Sequence, residues 1–272
     1  MKVYFAFNKN YLKKSNWVIW GGDLYSYREK KRKIKEKQEE YLRKIIIKNI
    51  AYITTLVDND YLLAQKWYKA KGIHMRGMYI SPIKLNYLDE INKNKKLNYE
   101  INIQIGNSAV PTNNHIEVID YLSKFKEKRI KVYAPLSYGN KEYALKVKKY
   151  GEKVLGDKFV GILNFMNSKD YSEFLGKIDI AIFNNDRQQG LGNIFPLAYL
   201  GAKIYMQNNT TMWNQLVEIE KYNFFSIKDL KNNSYDEFIM NTQSIKKKNI
   251  ENSKKRFDEE YISKVWCDIF KV

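Results

Sequence analysis

At 272 residues, with 44% apolar and 29% charged side chains, the chain is long enough for one large domain or two small ones, and its composition excludes extended disorder. A single cysteine, Cys267, excludes an intramolecular disulfide; with no secretory leader pattern and no apolar run long enough to span a bilayer, a reducing, cytoplasmic setting is expected. The 48 Lys and Arg against 30 Asp and Glu leave a charge of +18, which predicts an anionic partner: a phosphorylated ligand, an anionic membrane surface or a nucleic acid.

Short apolar or aromatic runs alternate with longer charged stretches, the pattern of a βα repeat and hence of a mostly parallel sheet. Strands are expected at Val3 to Phe7, Trp17 to Trp20, Ala51 to Leu56 and Met75 to Ile80, with helices at Tyr27 to Lys48 and Asp60 to Lys71. Ser81 to Asn98 holds Pro82 and a polar run without a clean period, and reads as a domain linker. A second series of strands follows at Tyr99 to Ile105, Ile130 to Ala134, Phe159 to Leu163, Asp179 to Asn184, Lys203 to Met206 and Phe224 to Ile227. Its helices are expected at Asn114 to Lys128, Asn140 to Leu155, Lys169 to Lys177, Asn193 to Leu200 and Met212 to Glu220. Tyr261, Ile262, Val265, Trp266 and Ile269 fit a last amphipathic helix.

In parallel α/β sheets ligands bind beyond the carboxyl ends of the strands, so strand-to-helix turns carry the functional information. After Tyr99 to Ile105, Gly106-Asn107-Ser108 offers a tight turn with backbone N–H groups and a hydroxyl, before a helix capped by Asn113 or Asn114; an ordinary capped turn has the same composition. After Ile180 to Phe183 comes Arg187-Gln188-Gln189-Gly190-Leu191-Gly192-Asn193. Pro196 belongs in a first helical turn, so the helix is expected to start close to Asn193. Gly190 and Gly192 then precede a helix N-terminus whose unpaired N–H groups and partial positive charge suit a diphosphate, with Arg187 as a bidentate donor. Walker, dinucleotide-binding and zinc spacings are absent. Asp58-Asn59-Asp60 is formally an acidic pair for Mg²⁺ but reads as a helix cap.

Four ordered segments carry a family resemblance. They are Trp17-Val18-Ile19-Trp20-Gly21-Gly22-Asp23-Leu24-Tyr25, Ile105-Gly106-Asn107-Ser108 with Asn114-His115-Ile116, Pro135-Leu136-Ser137-Tyr138-Gly139, and Arg187-Gln188-Gln189-Gly190-Leu191-Gly192 with Leu200-Gly201. Through them the chain resembles the 4-acetamido-4,6-dideoxygalactose transferases of glycosyltransferase family 56, which add the third sugar of enterobacterial common antigen. Val18 stands where members usually carry histidine. The resemblance implies an α/β GT-B fold of two Rossmann-like parallel-sheet domains facing a cleft. The N-terminal acceptor-side domain, 1–92, is short for its type; the nucleotide-sugar domain is expected at 97–248 and a C-terminal helix at 249–272. It also implies a dTDP-sugar donor substrate with no cofactor and no metal, a polyprenyl-diphosphate-linked saccharide acceptor, and a peripheral position on the cytoplasmic face of the inner membrane.

Roles follow from what sugar transfer needs, a stabilised leaving group and an activated hydroxyl. Gly106, Asn107, Ser108, Arg187, Gly190, Gly192 and Asn193 would hold the diphosphate; Ser137 and Tyr138 the nucleoside or sugar; Gln188 and Gln189 the sugar. Asp23 is the candidate base or acceptor ligand, or else a helix N-cap. His115 reads as a hydrogen-bonded structural residue. The segment Arg28 to Lys48 carries ten basic and four acidic residues, with Tyr27, Ile34, Tyr41 and Ile45 near helical spacing. That stripe faces either an anionic bilayer or the core. A non-catalytic sugar-nucleotide-binding or scaffold protein is the alternative, and a basic nucleic-acid-binding protein a weaker one, since the 22 tyrosines fall at core positions and no nucleic-acid motif appears.

Overall fold

Two separate parallel sheets organise the chain in the computed structural model, which describes residues 2–29, 33–94 and 99–271. Lys30, Lys31 and Arg32 of the basic segment, and Lys95, Lys96, Leu97 and Asn98 of the expected linker, lie outside the described residues. The chain forms two compact units: one holds Met1–Tyr79, Arg187–Gln189 and Glu259–Val272, the other Ile80–Asp186 and Gly190–Asp258.

The first unit opens with helices α1 (Lys2–Phe7) and α2 (Lys9–Leu12), where the sequence predicts a strand at Val3 to Phe7. Five consecutive apolar residues fix no period. Tyr4 and Phe7 are exposed while Ala6 is buried, a helical spacing that no neighbouring strand overrides. Strand β1 (Asn16–Ile19) leads through α3 (Gly22–Tyr25) to α4 (Ile34–Asn49), β2 (Tyr52–Thr55), α5 (Asn59–Tyr68) and β3 (Ile73–Arg76). The sheet order is β1-β2-β3, all parallel, over a core that includes Ile19, Leu24, Ile47, Ile53, Ala64 and Tyr68. β3 falls two residues before the expected Met75 because Tyr52 pairs with Ile73 in an edge register that leaves Ile73 largely exposed.

The second unit starts at Ile80, just before the expected linker, and within that linker Leu85–Lys93 forms helix α6. Leu88 is fully buried, and the Tyr199 hydroxyl donates to Asp89 at 2.5 Å; the spacing of Leu85, Leu88 and Ile91 is the signal that the polar Asn-Lys run obscures. Then come β4 (Ile101–Ile105), α7 (His115–Leu122), β5 (Ile130–Pro135), α8 (Lys141–Leu155), β6 (Phe159–Ile162), α9 (Ser168–Gly176), β7 (Ile180–Phe183), α10 (Leu191–Tyr199) and β8 (Lys203–Met206). The expected helix at Met212 to Glu220 is α11 (Thr211–Trp213) continued by a π-helical Asn214–Ile219. Strand β9 (Phe225–Ser226) precedes α12 (Ile227–Asn232), α13 (Tyr235–Ile239) and α14 (Gln243–Lys254). Helix α15 (Glu259–Phe270) returns to the first unit, with the Trp266 indole donating to the Met78 carbonyl at 3.0 Å. The chain passes from the first unit to the second after Tyr79, and 249–272 divides between them.

The six strands run parallel in the order β6-β5-β4-β7-β8-β9. From β4 the chain builds outward through β5 and β6, then crosses back to start again at β7. That reversal falls between β4 and β7, whose carboxyl ends are the place where such sheets bind ligands.

Candidate functional site in the switch-point loops

The loop after β4 is shaped by one glycine. Gly106 has φ +60°, and a Cβ there would stand 2.4 Å from His115 Nε2 and 2.9 Å from Asn113 Oδ1, so no other residue fits without displacing buried polar groups. Asn113 braces the loop from below: its Oδ1 accepts the Asn107 N–H at 3.2 Å, and its Nδ2 donates to the Ser108 carbonyl at 2.9 Å and the Val110 carbonyl at 3.1 Å. Asn114, offered by the sequence as a cap, occupies the N-cap position in the left-handed region with no side-chain cap; its amide instead donates to the Asn184 carbonyl at 2.8 Å, tying α7 to the end of β7.

His115 sits under this loop, fully buried. The Tyr143 hydroxyl lies 3.3 Å from its Nδ1. Among the described residues Nε2, which faces Gly106, has no hydrogen-bond partner. Burial holds the imidazole down at about 4, so the ring is neutral at physiological pH.

The loop after β5 is stitched to the same place. Ala109 N–H donates to the Tyr138 carbonyl at 2.8 Å and Asn140 N–H to the Ala109 carbonyl at 2.9 Å. Gly139 at φ +112° passes so close that a Cβ would lie 2.7 Å from that carbonyl. Tyr138 is 60% exposed, its hydroxyl accepting from Asn107 Nδ2 at 3.0 Å, and Ser137 beside it is also exposed.

The third wall is α10. It starts at Leu191, two residues before the expected Asn193, with Gly190 at φ +79° as N-cap and Pro196 inside the helix. The glycine's left-handed turn sets the start; Pro196 only removes the bond that would have reached the Gly192 carbonyl. Leu191 and Gly192 are the first two residues, where helix geometry supplies no acceptor for the N–H. Asn193 N–H closes onto the Gly190 carbonyl at 2.8 Å. The Asn193 Oδ1 accepts from Gln104 Nε2 at 2.9 Å and from the Tyr171 hydroxyl. Gly106, Asn107, Ser108, Tyr138, Gly190, Gly192 and Asn193 thus converge at the reversal point of one sheet. Gln104, Asn113, Tyr171 and His115 brace them, and of these Gln104 and Tyr171 carry no signal in the sequence, being a polar strand residue and one tyrosine among many.

The remaining candidates lie in the first unit. Gly21 has φ +88°, and a Cβ there would meet the Gln188 carbonyl at 2.2 Å and its Oε1 at 2.3 Å; a Cβ on Gly22 would lie 3.8 Å from the Arg187 guanidinium. The tryptophan-glycine-aspartate segment and Arg187-Gln188-Gln189 are therefore packed together. Arg187 Nη1 donates to the Gln188 carbonyl at 3.0 Å, and Gln189 is buried. Asp23 is the second residue of α3 and not its N-cap. Its carboxylate accepts the Trp17 indole N–H at 2.7 Å and the Trp20 backbone N–H at 3.1 Å, one bond on each oxygen. Asp58 pairs with Arg76 at 2.7 Å and buried Asp60 accepts from Tyr25 at 3.0 Å, so this carboxylate pair is committed to structure and forms no side-chain cap.

A family model described as 4-alpha-L-fucosyltransferase glycosyl transferase group 56 matches residues 3–269. Solved structures with the same fold include a glycosyltransferase from Rickettsia africae ESF-5, 14% identical with a TM-score of 0.65 over 94% of this chain and 69% of that one. WaaG, a glycosyltransferase involved in lipopolysaccharide biosynthesis, is 12% identical with a TM-score of 0.60 over 93% and 72%. Anabaena Alr3699/HepE, solved in complex with UDP and glucose, is 12% identical with a TM-score of 0.67 over 94% and 71%. The two parallel-sheet units and these likenesses give the chain the GT-B fold.

Proposed function

The chain belongs to glycosyltransferase group 56, and on that premise we propose that it moves a 4-acetamido-4,6-dideoxygalactose-type sugar from a dTDP-linked donor to a polyprenyl-diphosphate-linked saccharide in bacterial surface-polysaccharide synthesis. One observation carries the donor half: the left-handed glycines Gly106 and Gly190 open backbone at the ends of β4 and β7, at the reversal of the six-stranded sheet. A diphosphate meets there the N-terminus of α10 and the Asn193 amide, which stabilise the charge that develops as it leaves. Asn107 and Ser108 join them at the diphosphate, and Ser137 and Tyr138 line the nucleoside or sugar. Fucose, in the family's description, is itself a 6-deoxygalactose, so that description and this reading agree on the methyl group at C6.

In the transfer, the acceptor hydroxyl oxygen bonds to C1 of the sugar as the bond from C1 to the diphosphate breaks. dTDP leaves with the electron pair, and the hydroxyl proton passes to a carboxylate, for which Asp23 is the proposed base. Its indole and backbone donors hold the group in place without neutralising it. Arg187 is proposed to add charge for the diphosphate, with Gln188 and Gln189 as sugar ligands. This chemistry is completed by side chains and backbone alone and calls on no metal.

The membrane partner rests on α4. Ile34 and Tyr41, at helical spacing, are 78% and 64% exposed, while the core-facing side presents Glu40 and Ile47. Exposed Lys37, Lys44 and Lys48 flank the outward stripe, a pattern that suits a cytoplasmic-face, anionic bilayer and its lipid-linked acceptor. Among the described residues no helix is long and apolar enough to cross a membrane.

Calorimetric titration with dTDP, UDP and GDP tests the donor reading. dTDP is expected to bind most tightly and Arg187→Ala to weaken it; Asp23→Asn is expected to keep the affinity while sugar transfer falls. A wild-type chain that binds none of the three overturns the reading.

A further inference from the structure

Asn193 reaches the start of α10 with a fixed orientation, and the fixing groups lie outside every motif. The Gly106 carbonyl can only accept, so the group of Gln104 that lies 3.0 Å from it is the amide nitrogen, Nε2. The same Nε2 lies 2.9 Å from Asn193, which makes that atom of Asn193 its oxygen. The Tyr171 hydroxyl adds a second bond to this oxygen. Burial pushes the Tyr171 phenol well above its ordinary value, so it stays protonated and donates. With two donors on Oδ1, the planar amide has one orientation. Among the described residues Nδ2 is left without an acceptor, on a half-buried residue at the third position of the helix, next to the N–H groups of Leu191 and Gly192.

We propose that Gln104 and Tyr171 are positioning residues of the donor site: by clamping Oδ1 of Asn193 they aim its Nδ2 as a preset donor for an oxygen of the donor's diphosphate. The proposal rests on the donor reading above. Unclamped, the amide samples both orientations, and half of them turn an oxygen toward an anion. Gln104 also bonds the Gly106 carbonyl, so one fully buried side chain sets both the β4 loop and the α10 end of the cradle.

A double-mutant cycle on the full chain tests this, because a residue that acts through Asn193 has no effect once Asn193 is gone. Calorimetry with dTDP, together with the KM for the sugar donor and kcat, is read for wild type, Tyr171→Phe, Asn193→Ala and the double variant. Tyr171→Phe is expected to raise the dTDP Kd and the donor KM about fivefold to tenfold in the wild-type background and to change neither in Asn193→Ala. Gln104→Glu, whose carboxylate attracts Nδ2 inward and reverses the amide, is expected to weaken dTDP at least as much. If Tyr171→Phe weakens binding equally in both backgrounds, or in neither, the proposal is overturned while the donor reading stands. If wild type binds no dTDP, the donor reading fails and the proposal with it.

Discussion

Gly106 concentrates more constraint than any other residue of the cradle. Its φ of +60° and the 2.4 Å separation between a built Cβ and His115 Nε2 mean that Gly106→Ala meets backbone strain and a buried ring together. The variant is expected to lose about 2–4 kcal/mol of stability in chemical denaturation and to bind dTDP at least tenfold more weakly. Unchanged stability would show that the loop relaxes freely. The glycine was visible in the sequence as a turn residue, but the reason for it was not, since His115 and Asn113 reach it only through the fold. His115 carries its own consequence. Its imidazole is held down at about 4 from the ordinary 6.5 by burial, so as pH falls the unfolded chain takes the proton first. Its neutral form supports full stability above about pH 6.5, and that support is lost as pH falls toward 4, by on the order of 3 kcal/mol. Denaturation curves at pH 7 and pH 4.5 should show a steeper loss for wild type than for His115→Gln; parallel losses would remove His115 as the cause.

At the scale of elements, period decided what could be read. Strands β1, β2 and β4 to β9 were legible because buried parallel strands are short apolar runs bounded by turn residues. α1 was misread as a strand because its apolar run is too short to distinguish the two periods, and α6 was missed because its three apolar positions lie within a polar, Asn-rich stretch. For α4 the side of the stripe was open from spacing alone; Ile34 and Tyr41 turn outward into exposure. The helix is accordingly expected to hold the chain on vesicles of anionic phospholipid. Replacing Ile34 and Tyr41 by Ser and Lys37, Lys44 and Lys48 by Glu should lower co-sedimentation at least tenfold, given about 1 kcal/mol per lysine near the surface. Undiminished co-sedimentation would place the membrane contact elsewhere.

For the whole molecule, the division into a three-stranded and a six-stranded parallel unit followed from the βα repeat, but its boundary did not. Arg187–Gln189 and Glu259–Val272 belong to the first unit although more than a hundred residues of the second separate them from Tyr79. Such contacts between distant segments leave no local trace in composition. The donor cradle, by contrast, was half legible: glycines and asparagines in strand-to-helix turns marked Gly106 to Ser108 and Gly190 to Asn193, and the strand order then put both turns at one reversal point. A crystal structure of the dTDP complex measures this most directly. The diphosphate is predicted to lie at the N-terminus of α10, within hydrogen-bond distance of the Gly192 N–H and Asn193 Nδ2 and against the Gly106 loop. A diphosphate bound away from the ends of β4 and β7 would contradict the account.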